Sequence, residues 1–304
     1  MGQPGRIHSL IGRDANMLTA LFTAALLAQA RSVPAASIET TLGRIIAESG
    51  AEVAVAYRTL DGRTEVLINA DTPFHAASTM KVPVMIELFR QAHAATLTLD
   101  DALPITNEFH SIVDGSRYVL AEDDTADKDV VAALGRTLTL RQLCEAMITV
   151  SSNFAANVLI EKLGVENIRR TVTALGADGM HVLRGVEDQK AFDKGLNNTT
   201  TARALLVLFE RLAQGRAVDT ASDAEMVRIL GRQKASPNAI MAGVPAGIVV
   251  AHKTGNITRI HHDAAIVYAP KPYVLVLLVR GMDDLDKSAA LMAALSKAIY
   301  DSPR

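Results

Sequence analysis

Three short motifs in this 304-residue chain combine residue types that together can carry out acyl transfer. In chain order they are Ser78-Thr79-Met80-Lys81, Ser151-Ser152-Asn153 and Lys253-Thr254-Gly255. A serine hydroxyl is a poor nucleophile at neutral pH unless a base lies within hydrogen-bonding distance. The set therefore predicts a nucleophilic serine with its base, a hydroxyl that relays a proton, and a cation that binds an anionic substrate.

The first motif places a serine and a lysine three residues apart in a segment with helical character. Positions i and i+3 share one face of a helix, so Ser78 and Lys81 are predicted to be adjacent. Burial and neighbouring cations lower the pKa of a lysine, which allows it to accept the serine proton. A helix N-cap is the alternative interpretation of Ser78, and Thr79 suits that position as well.

The second motif follows an apolar helical run, and the third lies within a strand pattern. Ser151 is predicted to relay a proton to a leaving nitrogen, beside the amide of Asn153, which holds the substrate. Lys253 and Thr254 are predicted to bind a carboxylate, while Gly255 leaves room for substrate along the strand edge. Alone, the second motif is also typical of a helix cap and the third of a strand-end turn. Their occurrence together favours the catalytic interpretation.

Strand patterns lie at both ends of the chain, and helical patterns fill the middle. Near the N-terminus, residues 52–57 and 64–68 flank Asp61-Gly62 as a predicted hairpin. Short β-rich runs cover residues 247–251, 264–268 and 273–279, before a last helix at 286–300. Helical periodicity covers residues 38–49, 78–93, 140–163, 201–212 and 223–230. A polar segment with several carboxylates, residues 106–136, is predicted to be an elaborated surface loop and is called the acidic loop below.

This order of elements predicts an α/β (α+β) fold, in which an antiparallel sheet flanked by terminal helices receives an inserted all-α domain. We predict a sheet domain made of residues 37–75 and 235–304. The helical domain is predicted to cover residues 76–234. A ligand site is expected in the cleft between the two domains.

Composition excludes several classes of protein and site. The net charge is only −2, which argues against a nucleic-acid binder, and an apolar content of 49% argues against disorder. The one cysteine, Cys144, excludes an intrachain disulfide and a Cys-rich metal site, and we predict a buried thiol. We interpret the run His261-His262-Asp263 as structural rather than metal-binding. No cofactor or metal is therefore expected.

The N-terminal 36 residues have the layout of a secretory signal peptide. Two arginines precede an apolar run at residues 17–28, and small-residue cleavage patterns follow at 28–30 and 33–35. The apolar run is too short to span a bilayer, and no later stretch approaches the required length. We expect an exported protein, periplasmic or secreted, without a membrane span. An uncleaved leader or a true start at Met17 is the alternative.

Over roughly residues 37–300 the chain resembles the superfamily of class A β-lactamases and penicillin-binding serine hydrolases. The motifs S-x-x-K, S-D-N and K-T-G are the signature set of that superfamily. Residues 74–81 resemble its nucleophile region, and residues 147–159 resemble its second motif with the flanking helices. The separation of Ser151 and Lys253 is similar to that in the family. The separation of Ser78 and Ser151 is longer, and the acidic loop accounts for the excess.

The resemblance implies a role for each residue that would react. Ser78 would be acylated by a β-lactam or by an amide resembling acyl-D-Ala-D-Ala. Lys81 would act as the base or as part of the base relay. Ser151 would then pass the proton to the departing nitrogen.

The resemblance also implies the residues that would bind the substrate. Asn153 would hold the substrate's amide carbonyl, and Lys253 with Thr254 would bind its carboxylate. The backbone N–H groups of Ser78 and Asn256 would form the oxyanion hole.

Release of the acyl group is the step for which the sequence departs most from the family. Class A β-lactamases use a loop glutamate to activate water, and Glu187 lies at about the corresponding position. The asparagine that the family has four residues later is Ala191 here, with Asn197 and Asn198 the nearest candidates. The aspartate of the family's second motif is Ser152 here. A solvated loop carboxylate is the alternative interpretation of Glu187.

These features together predict a serine β-lactamase that hydrolyses the β-lactam amide through a covalent acyl-enzyme. One alternative is a D-alanyl-D-alanine peptidase or esterase-type hydrolase with the same acylation step. Another is a penicillin-binding sensor or pseudoenzyme that acylates without turnover. In each case the partner is a small β-lactam or peptidoglycan-like acyl compound rather than nucleic acid, and we expect a monomer.

Overall fold

A five-stranded antiparallel sheet is the central element of this computed structural model, which describes Met1 and residues 35–124, 126–234 and 238–302. The strands are β1 (Glu52–Thr59), β2 (Glu65–Ile68), β3 (Phe74–His75), β4 (Ala102–Pro104), β5 (Phe109–His110), β6 (Arg117–Tyr118), β7 (Thr137–Thr139), β8 (Thr199–Thr200), β9 (Val250–Ile257), β10 (Ile260–Val267) and β11 (Tyr273–Arg280). The central sheet has the order β2-β1-β11-β10-β9. Short strands form three further pairs, β3 with β8, β4 with β7 and β5 with β6.

Helices precede, follow and interrupt the sheet. They are α1 (Ala35–Ser49), α2 (Lys81–His93), α3 (Lys128–Val131), α4 (Leu140–Thr149), α5 (Asn153–Leu163), α6 (Val165–Ala174), α7 (Gln189–Asp193), α8 (Ala202–Ala213), α9 (Thr220–Leu230) and α10 (Leu285–Asp301), with 3₁₀ turns at Ala77–Met80 and Ile240–Gly243. The sheet strands come from both ends of the chain and most helices from its middle. The predicted fold class is therefore confirmed.

The central sheet is buried on both faces. Along β1, Val53, Val55 and Tyr57 point to the layer formed by α1 and α10, while Ala54 and Ala56 point to the helical side that includes α8. Successive strand residues face opposite sides, so a register slip of one residue would exchange large and small side chains. Each large apolar side chain buried in this way contributes about 1.5–3 kcal/mol to stability.

Several helices begin at a residue whose side chain caps them. The side chains of Thr139, Ser152, Thr201 and Asp219 each accept a hydrogen bond from a backbone N–H in the first turn. Such caps are each worth about 0.5–2 kcal/mol. The cap at Ser152 also explains a correction, because the predicted helical run 140–163 is two helices that end and begin around this turn.

The acidic loop is packed rather than merely exposed, which corrects the prediction of a surface loop. It contains β5, β6 and α3, and its apolar residues Phe109, Leu120 and Val130 are buried in the same core as α5. The rings of Phe109 and Phe154 contact edge to face, with centroids 5.8 Å apart. Sparse apolar residues in a polar segment thus fix the loop beside the second motif.

Further predictions concern the third motif, Cys144, the leader and the domain division. The predicted strand at 247–251 begins instead at Val250 and continues through the third motif as β9. Cys144 is buried, as predicted. Residues 2–34, almost the whole predicted leader, lie outside the described residues. Among the residues that the structure does describe, no helix has the length and apolar character needed to cross a membrane. The division into two domains stays a prediction.

Candidate active site

Ser78 lies in the 3₁₀ turn that joins β3 to α2. The preceding residue, Ala77, has a φ of 45°, in the left-handed region that non-glycine residues rarely occupy. Two hydrogen bonds hold this conformation: the amide of Ala77 donates to Nδ1 of His75 at 3.0 Å, and the amide of Ala76 donates to the carbonyl of Asn198 at 2.8 Å. Backbone strain that is held by surrounding contacts is common at functional sites.

Strand β9 passes so close to Ser78 that only glycine fits at position 255. A Cβ atom on Gly255 would lie 2.7 Å from the amide nitrogen of Ser78 and 3.0 Å from that of Thr79. The space that the missing side chain leaves is therefore occupied by the backbone at the nucleophile. Because of this approach the next residue on β9, Asn256, lines the same cavity as Ser78.

Lys81 is completely buried, and its ammonium group contacts the second motif directly. Its Nζ donates to the carbonyl of Ser151 at 2.5 Å and to Oδ1 of Asn153 at 2.8 Å, and it lies 3.3 Å from Oγ of Ser151. Burial lowers the pKa of Lys81 to about 7, against the opposing effect of nearby carboxylates, of which Asp127 has the largest. An amine with such a pKa can accept a proton at neutral pH.

Lys253 approaches Ser151 as well. Its Nζ lies 3.1 Å from Oγ of Ser151 and donates to the carbonyl of Thr254 at 2.9 Å. Burial lowers the pKa of Lys253 well below its ordinary value, and the positive charge of Lys81 adds to the effect. The hydroxyl of Ser151 therefore lies between two buried lysines, which suits it to pass a proton.

Ser151 reaches this position in an unfavourable backbone conformation. Its φ of 64° lies in the left-handed region, in the turn between α4 and α5. The strain is therefore tied to the placement of the hydroxyl between the two lysines.

Gln233 is a site residue that no sequence motif indicates. Its Oε1 accepts hydrogen bonds from Nζ of Lys253 at 3.1 Å and from the amide of Thr254 at 3.0 Å. It lies in an irregular segment after α9, with no motif around it. Only the tertiary fold places it below the third motif.

A buried histidine–carboxylate pair joins β9, which carries the third motif, to its neighbour β10. Nδ1 of His252 lies 3.0 Å from Oδ1 of Asp263, whose other oxygen accepts from the amide of Ile240 at 3.1 Å. His262 is also buried, with Nε2 2.9 Å from the carbonyl of His75. Within the described part of the chain, no group of three or more His, Cys, Asp or Glu side chains is arranged to hold a metal ion.

Glu187 faces the second motif from the loop between α6 and α7. Its Oε1 accepts a hydrogen bond from Nδ2 of Asn153 at 2.9 Å. Its φ of 63° is again in the left-handed region. Asn153 therefore connects Glu187 to Lys81, because its other amide atom accepts from the lysine.

Two side chains fix the loop on either side of Glu187. Asn157 binds the backbone of Val186 twice, accepting from the amide at 2.6 Å and donating to the carbonyl at 3.0 Å. Asp188 is buried and accepts from Oγ of Ser111 at 2.8 Å and from the amide of Ile112 at 2.9 Å. The loop is thereby joined both to α5 and to the acidic loop.

Asn198 holds the beginning of the same loop. Its Oδ1 accepts from the amides of Leu183 and Arg184, at 2.7 Å and 3.1 Å, and its Nδ2 donates to the carbonyl of Arg184 at 3.0 Å. Asn197 accepts from the guanidinium of Arg184 at 3.0 Å. The two asparagines that the sequence offered as candidates therefore contact the loop, although Ala191 itself is buried without an amide to contribute.

A cavity of about 400 Å³ opens over these groups, within the size range of small-molecule pockets. Five of the predicted site residues line it: Ser78, Lys81, Asn153, Glu187 and Asn256. Two exposed apolar side chains, Phe192 and Ile257, also line it. The other predicted residues, Ser151, Lys253, Thr254 and Gly255, are joined to these groups by the contacts above rather than by lining the cavity.

The chain is similar to known β-lactamases in sequence and in fold. The β-lactamase of Amycolatopsis lactamdurans is 29% identical over 244 residues, covering 79% of this chain and 72% of the relative. β-Lactamase AST-1 of Nocardia asteroides is 29% identical over 274 residues, covering 88% of this chain and 82% of the relative. The crystal structure of a β-lactamase from Chitinophaga pinensis has the same fold, with a TM-score of 0.77 at 21% identity over 88% of this chain and 100% of that chain.

The match also extends to a whole family. The sequence model of the β-lactamase enzyme family matches residues 37–302, which include all three motifs and the loop that carries Glu187. The resemblance seen in the motifs is therefore confirmed over almost the full chain, and this protein belongs to the β-lactamase enzyme family.

Proposed function

We propose that this protein is a serine β-lactamase that opens the β-lactam amide through an acyl-enzyme on Ser78. The observation that carries the proposal is the hydroxyl of Ser151, which lies 3.3 Å from the Lys81 amine and 3.1 Å from the Lys253 amine, while Lys81 lines the same cavity as Ser78. The family match and the names of the two relatives favour this activity over a peptidase, an esterase or a sensor.

Acylation begins with the proton of Ser78. Lys81, partly unprotonated because of its lowered pKa, accepts that proton as Oγ of Ser78 attacks the lactam carbonyl carbon. The negative charge that forms on the carbonyl oxygen is stabilised by the backbone N–H groups of Ser78 and Asn256. The C–N bond then breaks, and the proton passes through Ser151 to the departing nitrogen.

Substrate binding uses the residues around this path. Asn153 donates to the amide carbonyl of the substrate side chain, while Lys253 and Thr254 provide the positive charge and hydroxyl for its carboxylate. Binding of that carboxylate also raises the pKa of Lys253, because an opposite charge favours the protonated amine.

Deacylation is assigned to Glu187. The carboxylate accepts a proton from a water molecule that attacks the ester carbonyl, and the proton returns to Oγ of Ser78 as the ester C–O bond breaks. The hydrogen bond from Asn153 orients Glu187 toward the cavity. The loop contacts of Asn157 and Asp188 keep the carboxylate in place.

We extend the proposal to the cellular context. Residues 1–36 act as a signal peptide for export to the periplasm or medium, which the charged and apolar pattern of the leader supports. The proposal also takes the protein to work as a monomer. The site lies between a sheet domain (37–75 and 235–304) and a helical domain (76–234).

Hydrolysis of a chromogenic cephalosporin tests the proposal. The protein lacking residues 1–36 should turn over the compound many times per molecule, and Ser78→Ala should abolish turnover while leaving the thermal unfolding temperature nearly unchanged. A stable covalent adduct without turnover would support the sensor or peptidase alternatives. Absence of both turnover and adduct would refute acylation at this site.

A further inference from the structure

A buried carboxylate from the acidic loop contacts the second motif from behind. Asp127 is only 2% exposed, although it lies in a polar segment with several other acidic residues. Its Oδ1 accepts a hydrogen bond from Oγ of Ser152 and another from the amide of Phe154, the latter at 3.2 Å. Oγ of Ser152 itself accepts from the amide of Ala155 at 3.0 Å, so the hydroxyl hydrogen is available for Asp127.

These bonds fix the residue between the two that hold Lys81. Ser152 lies between Ser151, which is in the strained left-handed conformation, and Asn153, which accepts from the lysine. A strained turn persists only where surrounding contacts determine it. Asp127 provides two such contacts, one to the cap of α5 and one to its first turn.

Asp127 also influences the charge of Lys81. The carboxylates of Asp127, Asp124 and Glu187 act on the pKa of this lysine. The amine of Lys253, whose own pKa the charge of Lys81 lowers, lies on the other side of the Ser151 hydroxyl. Among the carboxylates, Asp127 has the largest effect in raising the pKa of Lys81. The same residue therefore acts on both the position and the protonation of the proposed base.

Residue 152 differs from the residue that the S-D-N pattern has at this position. In the pattern S-D-N the middle residue carries its own carboxylate. Here the middle residue is serine, and a carboxylate from the acidic loop, 25 residues earlier in the chain, contacts it instead. Because the acidic loop is packed against the core rather than exposed, it brings the carboxylate of Asp127 to Ser152.

We infer that Asp127 is a positioning residue for acylation, which supplies from the acidic loop the carboxylate that the second motif lacks. The inference rests on the proposed function, since its readout is acylation of Ser78. The side chain of Asp127 accepts hydrogen bonds from Ser152 and Phe154, so it acts through Ser152 and Lys81.

The test compares four proteins by kcat/KM for a chromogenic cephalosporin between pH 5 and 9, with thermal unfolding measured in parallel. They are wild type, Asp127→Asn, the exchange variant Asp127→Ser with Ser152→Asp, and Asp129→Asn, an exposed carboxylate of the same loop. For an acyl-enzyme, kcat/KM includes no step after acylation, so a slow deacylation does not affect it. Its pH dependence reports the groups of the free enzyme.

Asp127→Asn should lower kcat/KM about 10- to 100-fold, the effect of a lost charged hydrogen bond and a displaced catalytic group. Loss of the negative charge lowers the pKa of Lys81 further, so the acidic limb of the profile should move to lower pH. The exchange variant returns a carboxylate, which is also a good N-cap, to the motif. It should recover most of the rate and the position of the limb, and Asp129→Asn should match wild type.

An Asp127→Asn protein with the rate and pH profile of wild type would overturn the inference. So would an exchange variant that folds and stays as slow as Asp127→Asn. If wild type itself neither reacts with nor hydrolyses the compound, the proposed function fails, which is a distinct result because it needs no variant.

Discussion

At the scale of single residues, the site contains two buried lysines whose surroundings disfavour the protonation of both amines at the same time. Lys81 and Lys253 both contact the hydroxyl of Ser151, and burial lowers the pKa of each. Their mutual repulsion adds to that effect on Lys253. An arrangement that disfavours two positive charges supplies an unprotonated amine at Ser151 at neutral pH, and Lys81 lines the same cavity as Ser78.

The pH dependence of acylation follows from this arrangement. Lys81 must be unprotonated to act as base, so kcat/KM should fall as the pH drops below about 7, the pKa of this lysine. Replacing Lys253 by Met leaves in place the carboxylates that act on Lys81, so the acidic limb should stay near pH 7, while kcat/KM should fall because the substrate carboxylate loses its cation. Profiles of both proteins with one cephalosporin check this. A limb that moves in Lys253→Met would contradict the assigned base.

The lowered pKa of Lys81 also makes the stability of the fold depend on pH. A lysine whose pKa is lowered in the folded state binds more protons when unfolded. The free energy of unfolding therefore increases as the pH rises from about 7 toward 10.5. At neutral pH and below, the buried amine therefore costs stability. The site is maintained by the surrounding fold rather than by its own charges.

At the scale of elements, the site depends on a close approach between β9 and the turn before α2. Gly255→Ala would place a Cβ atom 2.7 Å from the amide nitrogen of Ser78, and the backbone there cannot move aside without displacing the nucleophile. We expect a loss of about 1–3 kcal/mol of stability and a fall of about 100-fold or more in kcat/KM.

The matched control for Gly255→Ala lies in α1. An added Cβ at Gly43 meets no atom within 4 Å, so Gly43→Ala should stabilise the protein by roughly 0.5–1 kcal/mol and leave kcat/KM unchanged. Chemical unfolding and cephalosporin kinetics measure both quantities. Wild-type kinetics in Gly255→Ala would show that the close approach of β9 to Ser78 does not determine the geometry of the site.

The loop that carries Glu187 gives a second prediction at this scale. Asn157→Ala removes both hydrogen bonds to Val186, which should cost about 1–3 kcal/mol of stability. It should also lower kcat about tenfold, because the carboxylate loses its position, while the rate of acylation changes little. Thr201→Ala, which removes the N-cap of α8, should cost about 0.5–2 kcal/mol without slowing deacylation. Equal kinetics in the two variants would refute the role of Asn157.

At the scale of the whole molecule, the site gathers residues from four distant parts of the chain. Ser78 precedes α2, Ser151 follows α4, Glu187 precedes α7 and Lys253 lies in β9. Residues beside these parts, among them Met80, Ile148 and Ala251, are buried in one apolar core. The site therefore forms only when the helices and the sheet are assembled together.

The sequence predicted much of this assembly, because its signals are local. Periodicity and turn residues located the main strands and helices, and residue type with spacing selected all the motif residues that meet around Ser151. The remaining contributors carry no local signal. Gln233, Asn157 and Asp127 act through tertiary contacts from irregular, helical and acidic segments, and the burial of Asp127 depends on how the acidic loop packs.

In the proposed reaction, Ser78 captures the acyl group and Glu187 releases it. Glu187→Ala mixed with a penicillin, followed by intact mass over time and by peptide mapping, tests both parts at once. We predict a lasting adduct of one penicillin per protein on the peptide that contains Ser78, with release slowed about 100-fold or more relative to wild type. Wild-type turnover in this variant would contradict the release step, and an adduct on another peptide, or none, would contradict the capture step.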